Sequence, residues 1–188
     1  MVMPALQKEW TVEEALALPA DGNRYEVLDG ELFVTPSPSW SHQWAVGELA
    51  RLLSEYLRAF RAGWAQIAPA DIAFSPRRLL QPDLFVVPWR ASGRPASWPE
   101  ADGLLLAVEV LSPSTARADR YRKRVIYQDQ RVPEYWIVDL DARLVERWRP
   151  GDTRGEVLTE TLEWRPQTDL APFSLDLPAF FTEVLGAA

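Results

Sequence analysis

Leu104 to Leu111 is an apolar run closed by the turn signal Ser112-Pro113-Ser114-Thr115 and interrupted by one acid, Glu109. A run of this kind reads as a strand buried on both faces of a sheet. An unpaired carboxylate there costs roughly several kcal/mol, so Glu109 must meet a proton, a cationic side chain or a metal ion. Upstream, Val46, Leu49, Leu52, Leu53, Tyr56, Leu57 and Phe60 recur at helical spacing after His42, predicting an amphipathic helix capped by Ser39 or Ser41 and ending near Gly63. Alternation in Tyr25-Glu26-Val27-Leu28 and Glu31-Leu32-Phe33-Val34 about Asp29-Gly30 predicts a hairpin with Glu26 and Glu31 on a solvated face. Before it, Thr11 with Glu14 three positions on forms a capping-box signature for a short helix that Pro19 ends.

Trp64 to Ile67 and Asp71 to Phe74 read as strands, and Gln81 to Val87 as another that opens on Asp83, because Pro82 fits only a strand start or an edge. Residues 89–102 form a long Gly/Pro-bearing loop, of a length suited to closing over a substrate. A helix over 116–130, strands over 134–139 and 143–148, a strand near 157–162 and a closing helix over 177–185 complete the pattern. The expected organisation is one domain over 1–188. A core at about 40–140 is preceded by the helix and hairpin at 11–35 and followed by strands and a helix at 143–185.

The chain has 188 residues and no cysteine, which excludes disulfides, thiolate metal sites and thiol catalysis. With no leader and no apolar run near the roughly 18 residues of a membrane span, a soluble cytoplasmic protein is expected. The net charge of −7 argues against a surface that clings to nucleic acid throughout, though not against local contact. Of 20 basic residues only Lys8 and Lys123 are lysines. Lysine is a compact charge able to reach one oxygen, where arginine is a broad planar fork. Spacing places Asp119, Lys123 and Tyr127 on one helix face. A first-turn histidine, His42, and Glu48 on the same helix are accessory candidates. Arg117, Arg120, Arg122 and Arg124 form a basic set able to grip a phosphate backbone.

The middle of the chain thus runs helix, strand, strand, strand, helix, strand, an α/β arrangement with a mixed sheet flanked by helices. Two strand carboxylates, Asp83 and Glu109, converging on one spot repel unless a hard cation lies between them. An oxygen-only site favours Mg²⁺ or Mn²⁺. Such an ion activates water and stabilises charge on a phosphodiester under attack, and Lys123 is placed to assist.

Pro82-Asp83, Glu109-Val110-Leu111 and Lys123 on this order of elements resemble the PD-(D/E)XK nuclease superfamily. Tyr25 to Leu32, Gln81-Pro82-Asp83, Glu109 to Thr115 and Val132 to Asp139 resemble, more closely, the Uma-type putative restriction endonuclease family of bacteria, over about residues 11–150. The resemblance implies a restriction endonuclease-like core and metal-dependent cleavage of DNA. Asp83 and Glu109 would be its metal ligands, the Val110 carbonyl a third, and Lys123 the catalytic lysine. The superfamily pattern places that lysine two residues after the glutamate, where this chain has Leu111; in the closer family it has moved to the following helix. Glu26 and His42 match recurrent positions of the family. A non-catalytic binding or assembly module of the same fold, and a hydrolase acting on RNA, are the alternatives. Cutting both strands of a duplex would suit a homodimer.

Overall fold

The computed structural model describes residues 8–96 and 103–186. Strands and helices are numbered in chain order. A six-stranded sheet runs, edge to edge, β10 (Glu156–Leu158), β9 (Leu144–Trp148), β8 (Glu134–Asp139), β7 (Leu106–Val110), β6 (Leu84–Pro88) and β3 (Gly63–Ile67). All its pairs are antiparallel except β7 with β8. A parallel neighbour requires a crossover. Here a helical run supplies it: α3 (Ala116–Ala118), a π-helical turn (Asp119–Lys123) and α4 (Arg124–Asp129). A second sheet orders β2 (Glu31–Thr35), β1 (Arg24–Leu28), β5 (Arg78–Leu80) and β4 (Ile72–Ser75), and β11 (Thr161–Trp164) pairs with β12 (Phe173–Asp176).

Parity along β7 divides the core. Leu106, Val108 and Val110 face α2 (Trp40–Phe60) and α5 (Leu177–Leu185), whose Leu49, Leu53, Leu57, Phe180 and Phe181 pack against them. Each fully buried leucine there contributes roughly 1.5–3 kcal/mol. Ala107 faces the opposite side with Phe85, Tyr135 and Ile137, covered by Ile126 and Tyr127 of α4 and by Leu28 and Leu80 of the second sheet. The second sheet is closed from outside by α1 (Val12–Leu16), whose Ala15 meets Val27 and Leu79. Strand β1 is therefore buried on both faces.

The local signals act as their chemistry requires. Thr11 and Glu14 complete the capping box, Ser39 caps α2, and Asp29 and Gly30 turn the hairpin with φ of 52° and 85°. Three expectations are corrected. The strand expected over 81–87 begins only at Leu84, because Pro82 cannot extend a ladder, and Arg78–Leu80 before it form a strand of the other sheet. The strand near 157–162 is likewise two, β10 and β11, again in different sheets. The helix over 116–130 carries a π turn, in which the Asp119 carbonyl accepts from the backbone N–H of Arg124 and from the Tyr135 hydroxyl at 3.2 Å. Of the loop over 89–102, residues 97–102 lie outside the described residues.

Candidate functional site

Glu109 has the parity of Ala107, so its side chain turns from α2 toward the helical run. The register Leu84↔Val108 sets Asp83 opposite Glu109 one step beyond the paired segment. The second sheet abuts the same end of β6 and β7 and brings Arg24 and Glu26, two residues apart on β1 and on the side of Leu28. The π turn brings Asp119 and Lys123. Glu26, Asp83, Glu109, Asp119 and Lys123 are each at most 3% exposed.

Lys123 Nζ stands at the point of convergence. It lies 2.9 Å from Glu26 Oε2, 3.0 Å from Glu109 Oε1 and 3.3 Å from Asp119 Oδ1. Glu109 Oε1 also accepts from the Tyr127 hydroxyl at 3.3 Å, and Glu26 Oε1 from the Gln81 N–H at 2.8 Å. Asp83 is held separately: Arg24 Nη1 donates at 2.5 Å, His42 Nε2 lies at 3.1 Å, and the Val110 N–H donates at 2.9 Å.

These contacts set the protonation of the cluster. Burial pushes the Asp83 carboxyl up, but the His42 hydrogen bond and the Arg24 charge outweigh it and hold it down at about 2. Burial dominates at Glu109, which rises well above the carboxylate range although Lys123 opposes it, and Asp119 rises for the same reasons. Burial lowers Lys123, yet Glu109, Glu26 and Asp119 overcome it and leave the ammonium firmly charged.

A hard divalent cation fits this set in charge and donor type. Four buried acids face two permanent cations, Lys123 and Arg24; ionised together they would leave two negative charges unbalanced, and the rise of Glu109 and Asp119 is that excess met by protons in place of a cation. Asp119 is buried with Oδ1 in the Lys123 ion pair and Oδ2 without a hydrogen-bond partner among the described residues. Yet among the described residues no three His, Asp or Glu side chains form a ready ligand set. The ammonium of Lys123 takes the cation's place among the acids, and Arg24 takes it at Asp83. Loading an ion on Asp83 and Glu109 means exchanging these partners.

A cleft of about 580 Å³ opens beside the cluster, between the start of α2 and the Ser112–Ser114 turn, with Arg24 and His42 in its wall. A second, of about 350 Å³, is lined by Gln81, Asp83 and, again, Arg24.

The family model described as putative restriction endonuclease, Uma2, matches residues 12–181. The chain belongs to this family. A solved structure of a putative nuclease of DUF820 from Anabaena variabilis superposes with a TM-score of 0.78 at 20% identity, covering 94% of this chain and 99% of that one, a likeness of fold. No curated protein matches.

Of the residues expected at the site, Lys123 pairs with Glu109 at 3.0 Å, while Asp83 lies at the same end of the sheet but is bound by Arg24, His42 and the Val110 N–H. Glu26, expected in solvent, is instead 1% exposed and a direct partner of Lys123. Glu48 stays at the surface in an ion pair with Arg51 at 2.6 Å. Three of the four arginines expected at a phosphate backbone are engaged within the chain. Arg120 binds Asp139 and Glu146, Arg122 binds Glu31 and the Leu28 carbonyl, and Arg124 binds Gln128 and covers the Trp148 ring. Arg117 is exposed. Arg24 escapes the sequence reading, which places Asp119 on the Lys123 face without assigning it to the site. Their signal lay in parity: Arg24 and Glu26 share a β1 face with the core residue Leu28, and Asp119 shares a helix face with Lys123.

Proposed function

We propose that the chain is a metal-dependent endonuclease that hydrolyses phosphodiester bonds of DNA, with Mg²⁺ or Mn²⁺ held by Asp83, Glu109 and the Val110 carbonyl. The observation that carries this reading is the buried charge imbalance at the ends of β6 and β7, in a chain of the Uma2 family. The ion, when bound, supplies Lewis-acid polarisation of the phosphate and activation of water. The chain's own residues do the rest. Val110 and His42 fix the Asp83 carboxylate, and Tyr127 fixes Glu109. Lys123, compact and fully charged, neutralises charge building on the phosphate or orients the attacking water.

The test is incubation of labelled duplex DNA, and of RNA in parallel, with Mg²⁺ or Mn²⁺. Ion-dependent cleavage of DNA that disappears in Glu109→Ala supports the reading. Cleavage that survives the substitution belongs to a contaminant, and cleavage of RNA alone moves the substrate. Sedimentation during turnover decides whether a two-fold pair of chains makes the double-strand cut.

A second reading, a non-catalytic module of the same fold, is favoured by one observation: Asp83 and Glu109 both have cationic partners within the chain. Calorimetric titration of Mn²⁺ separates the two. Ion uptake by the wild type that is lost in Asp83→Ala favours the enzyme, and no uptake favours the module.

A further inference from the structure

We infer that the open edge of β3 is a docking groove for an extended acidic peptide of a partner protein, which adds to the six-stranded sheet as a further strand and sets carboxylates on Arg58 and Arg94. The inference stands apart from the nuclease reading and does not depend on it.

β3 is an outer strand, paired with β6 alone among the described residues. The Ala68 N–H donates to the Asp83 carbonyl at 3.1 Å, and Ile67 stands opposite Leu84 one step earlier. Antiparallel pairs alternate between bonded and unbonded. Trp64 and Gln66 therefore turn their backbone groups toward β6, while Gly63, Ala65 and Ile67 turn theirs outward and meet no partner among the described residues. Natural sheets guard such an edge with a charge, a proline, a bulge or a very short strand. The other outer strands of the two larger sheets do so: β10 has three residues and opens on Glu156, β4 is bulged between Ala73 and Ser75, and β2 opens on Glu31. β3 has five residues, Gly-Trp-Ala-Gln-Ile, and none of these devices.

A groove of about 440 Å³ lies over this edge. It touches both Ala65, which packs on the α2 side of the sheet, and Trp64, which packs on the opposite side, and the edge is where the two sides meet. Ser54, Leu57 and Arg58 of α2 form one wall. Trp64, Trp89 and Arg94 form the other, the two indoles stacked at 4.6 Å with Trp89 39% exposed. A strand laid in the groove sends alternate side chains to the two walls. One set reaches Leu57 and Arg58, and the other reaches the indoles and Arg94.

Charge decides the occupant. Neither Arg58 nor Arg94 has an acidic partner among the described residues, in a chain that pairs Arg51, Arg78, Arg120, Arg122, Arg147 and Arg149 with its own acids. Arg58 lies in the last turn of α2, where the negative end of the helix steadies its charge. The β3 of a second copy brings no acid to meet these guanidiniums. A phosphodiester strand would meet them, but its backbone has no donors for the outward carbonyls of β3. A peptide strand supplies donors and acceptors in register, and its carboxylates supply the charge.

The probes are capped peptides of about seven residues, roughly the length of β3 with one residue beyond each end, that alternate glutamate with valine, leucine, phenylalanine or tryptophan. Control peptides carry lysine in place of glutamate. Labelled peptides are titrated into the full-length protein by fluorescence anisotropy, and backbone amide exchange is followed by NMR. The glutamate peptides should bind saturably and the lysine peptides should not. At about ten times Kd, the amides of Gly63, Ala65 and Ile67 should exchange about tenfold more slowly. Replacing both exposed arginines, Arg58→Gln with Arg94→Gln, should weaken binding about fivefold. Ala65→Pro deletes the central outward N–H and spares the β6 ladder, so it should abolish binding. Failure of every glutamate peptide to saturate below about 1 mM overturns the groove. Binding that leaves the three amides unprotected overturns strand addition. Amides already protected without peptide, and released on dilution as the sedimenting mass falls, give the edge to a second copy and overturn the peptide. Oligothymidine that binds through the same two arginines while the peptides fail gives the groove to a nucleic-acid strand, with the same consequence. Because the wild type and the surface arginine variant carry the decision, a folding defect in Ala65→Pro leaves the test intact.

Discussion

Lys123→Met keeps most of the side chain's volume and removes its charge, which isolates what the ammonium does for the fold. Three carboxylates lie within 3.3 Å of Nζ, and the nearest other permanent cation, Arg24, is committed to Asp83. Removing one partner of a buried ion pair destabilises by about 3–5 kcal/mol. With three acids left around one vacated position, the upper part of that range is expected. In a domain of this size about 2–4 °C of melting temperature accompanies each kcal/mol, so the midpoint falls on the order of 10 °C.

The loss has a pH signature. Lys123 is raised in the fold, so its contribution is fully present below the ordinary lysine value and is lost only as pH rises through the elevated one. In the variant, burial acts on Glu109 and Asp119 without that opposing charge, and both rise further. Above the ordinary carboxylate value the folded variant then holds protons that the unfolded chain has released, and its stability declines with pH by about 1.4 kcal/mol per unit for each such proton. Urea unfolding followed by tryptophan fluorescence at pH 5.5 and pH 8 measures both effects. A loss below about 1 kcal/mol at pH 8, or one of equal size at both pH values, would show that the ammonium does not hold the acids together. The same variant tests the ion: Mn²⁺ at a hundred times its Kd should return about 2.7 kcal/mol, because a divalent cation can now occupy the lysine's place.

Glu109→Gln preserves an oxygen for Lys123 and Tyr127, so the fold should survive while cleavage falls at least a hundredfold, read from a gel assay in Mn²⁺. Wild-type Glu109 is raised by burial, so its contribution to stability falls as pH climbs from the ordinary carboxylate value toward the raised one; the variant should gain stability relative to wild type as pH rises over that span, and parallel unfolding curves would contradict this. Arg24→Gln removes one of the groups holding Asp83 at about 2. Because that depression stabilises above the ordinary carboxylate value and is lost as pH falls toward 2, the variant should lose roughly 2 kcal/mol at pH 7 and little at pH 2, in calorimetric scans across the range. Gly63→Ala would set a Cβ 2.5 Å from the Val87 carbonyl oxygen, a backbone atom that cannot step aside; a loss of about 1–3 kcal/mol is expected by urea titration, with the β3–β6 amides most affected in hydrogen exchange.

Much of the fold was legible because local chemistry and tertiary packing agree. The Asp29-Gly30 turn, the Ser39 cap, the α2 stripe and the exact span of β8 all follow from side-chain type at short range. What escaped reading depended on pairing between distant segments. Nothing local says that β5 leaves the path of β6 to join the hairpin, and only that departure brings β1 against the ends of β6 and β7. The misreading of Glu26 follows from it. A charged residue at alternate positions of a hairpin is solvated if one face is free, and β1 has no free face, since Val27 meets α1 while Leu28 meets the main core. Asp83, Glu109 and Lys123 were legible for the opposite reason: a carboxylate in an apolar strand, and a lysine in a chain that otherwise uses arginine, are anomalies that need no knowledge of pairing.

The fate of the arginines bears on how an acidic chain can meet a polyanion. Arg78, Arg120, Arg122, Arg147 and Arg149 are each bonded to acids of the chain, most of them at the surface. Cations paired in this way release fewer counterions from a nucleic-acid backbone than free ones. A broad electrostatic grip is thus weak here, and strand contact falls to local donors whose acceptors are missing. Arg24 Nε and the N–H groups of the first turn of α2 are such donors, and they border the buried acids. Binding through so few phosphates predicts a shallow salt dependence: with about two phosphates neutralised, the slope of log K against log salt should be near −2, against about −10 for a protein with an extensive basic surface. Fluorescence anisotropy of labelled duplex from 50 to 200 mM salt, with Ca²⁺ in place of Mg²⁺ to withhold cleavage, measures that slope. A value steeper than about −5 would mean that the surface pairs open on binding and that the basic helix face, not the α2 cleft, carries the contact.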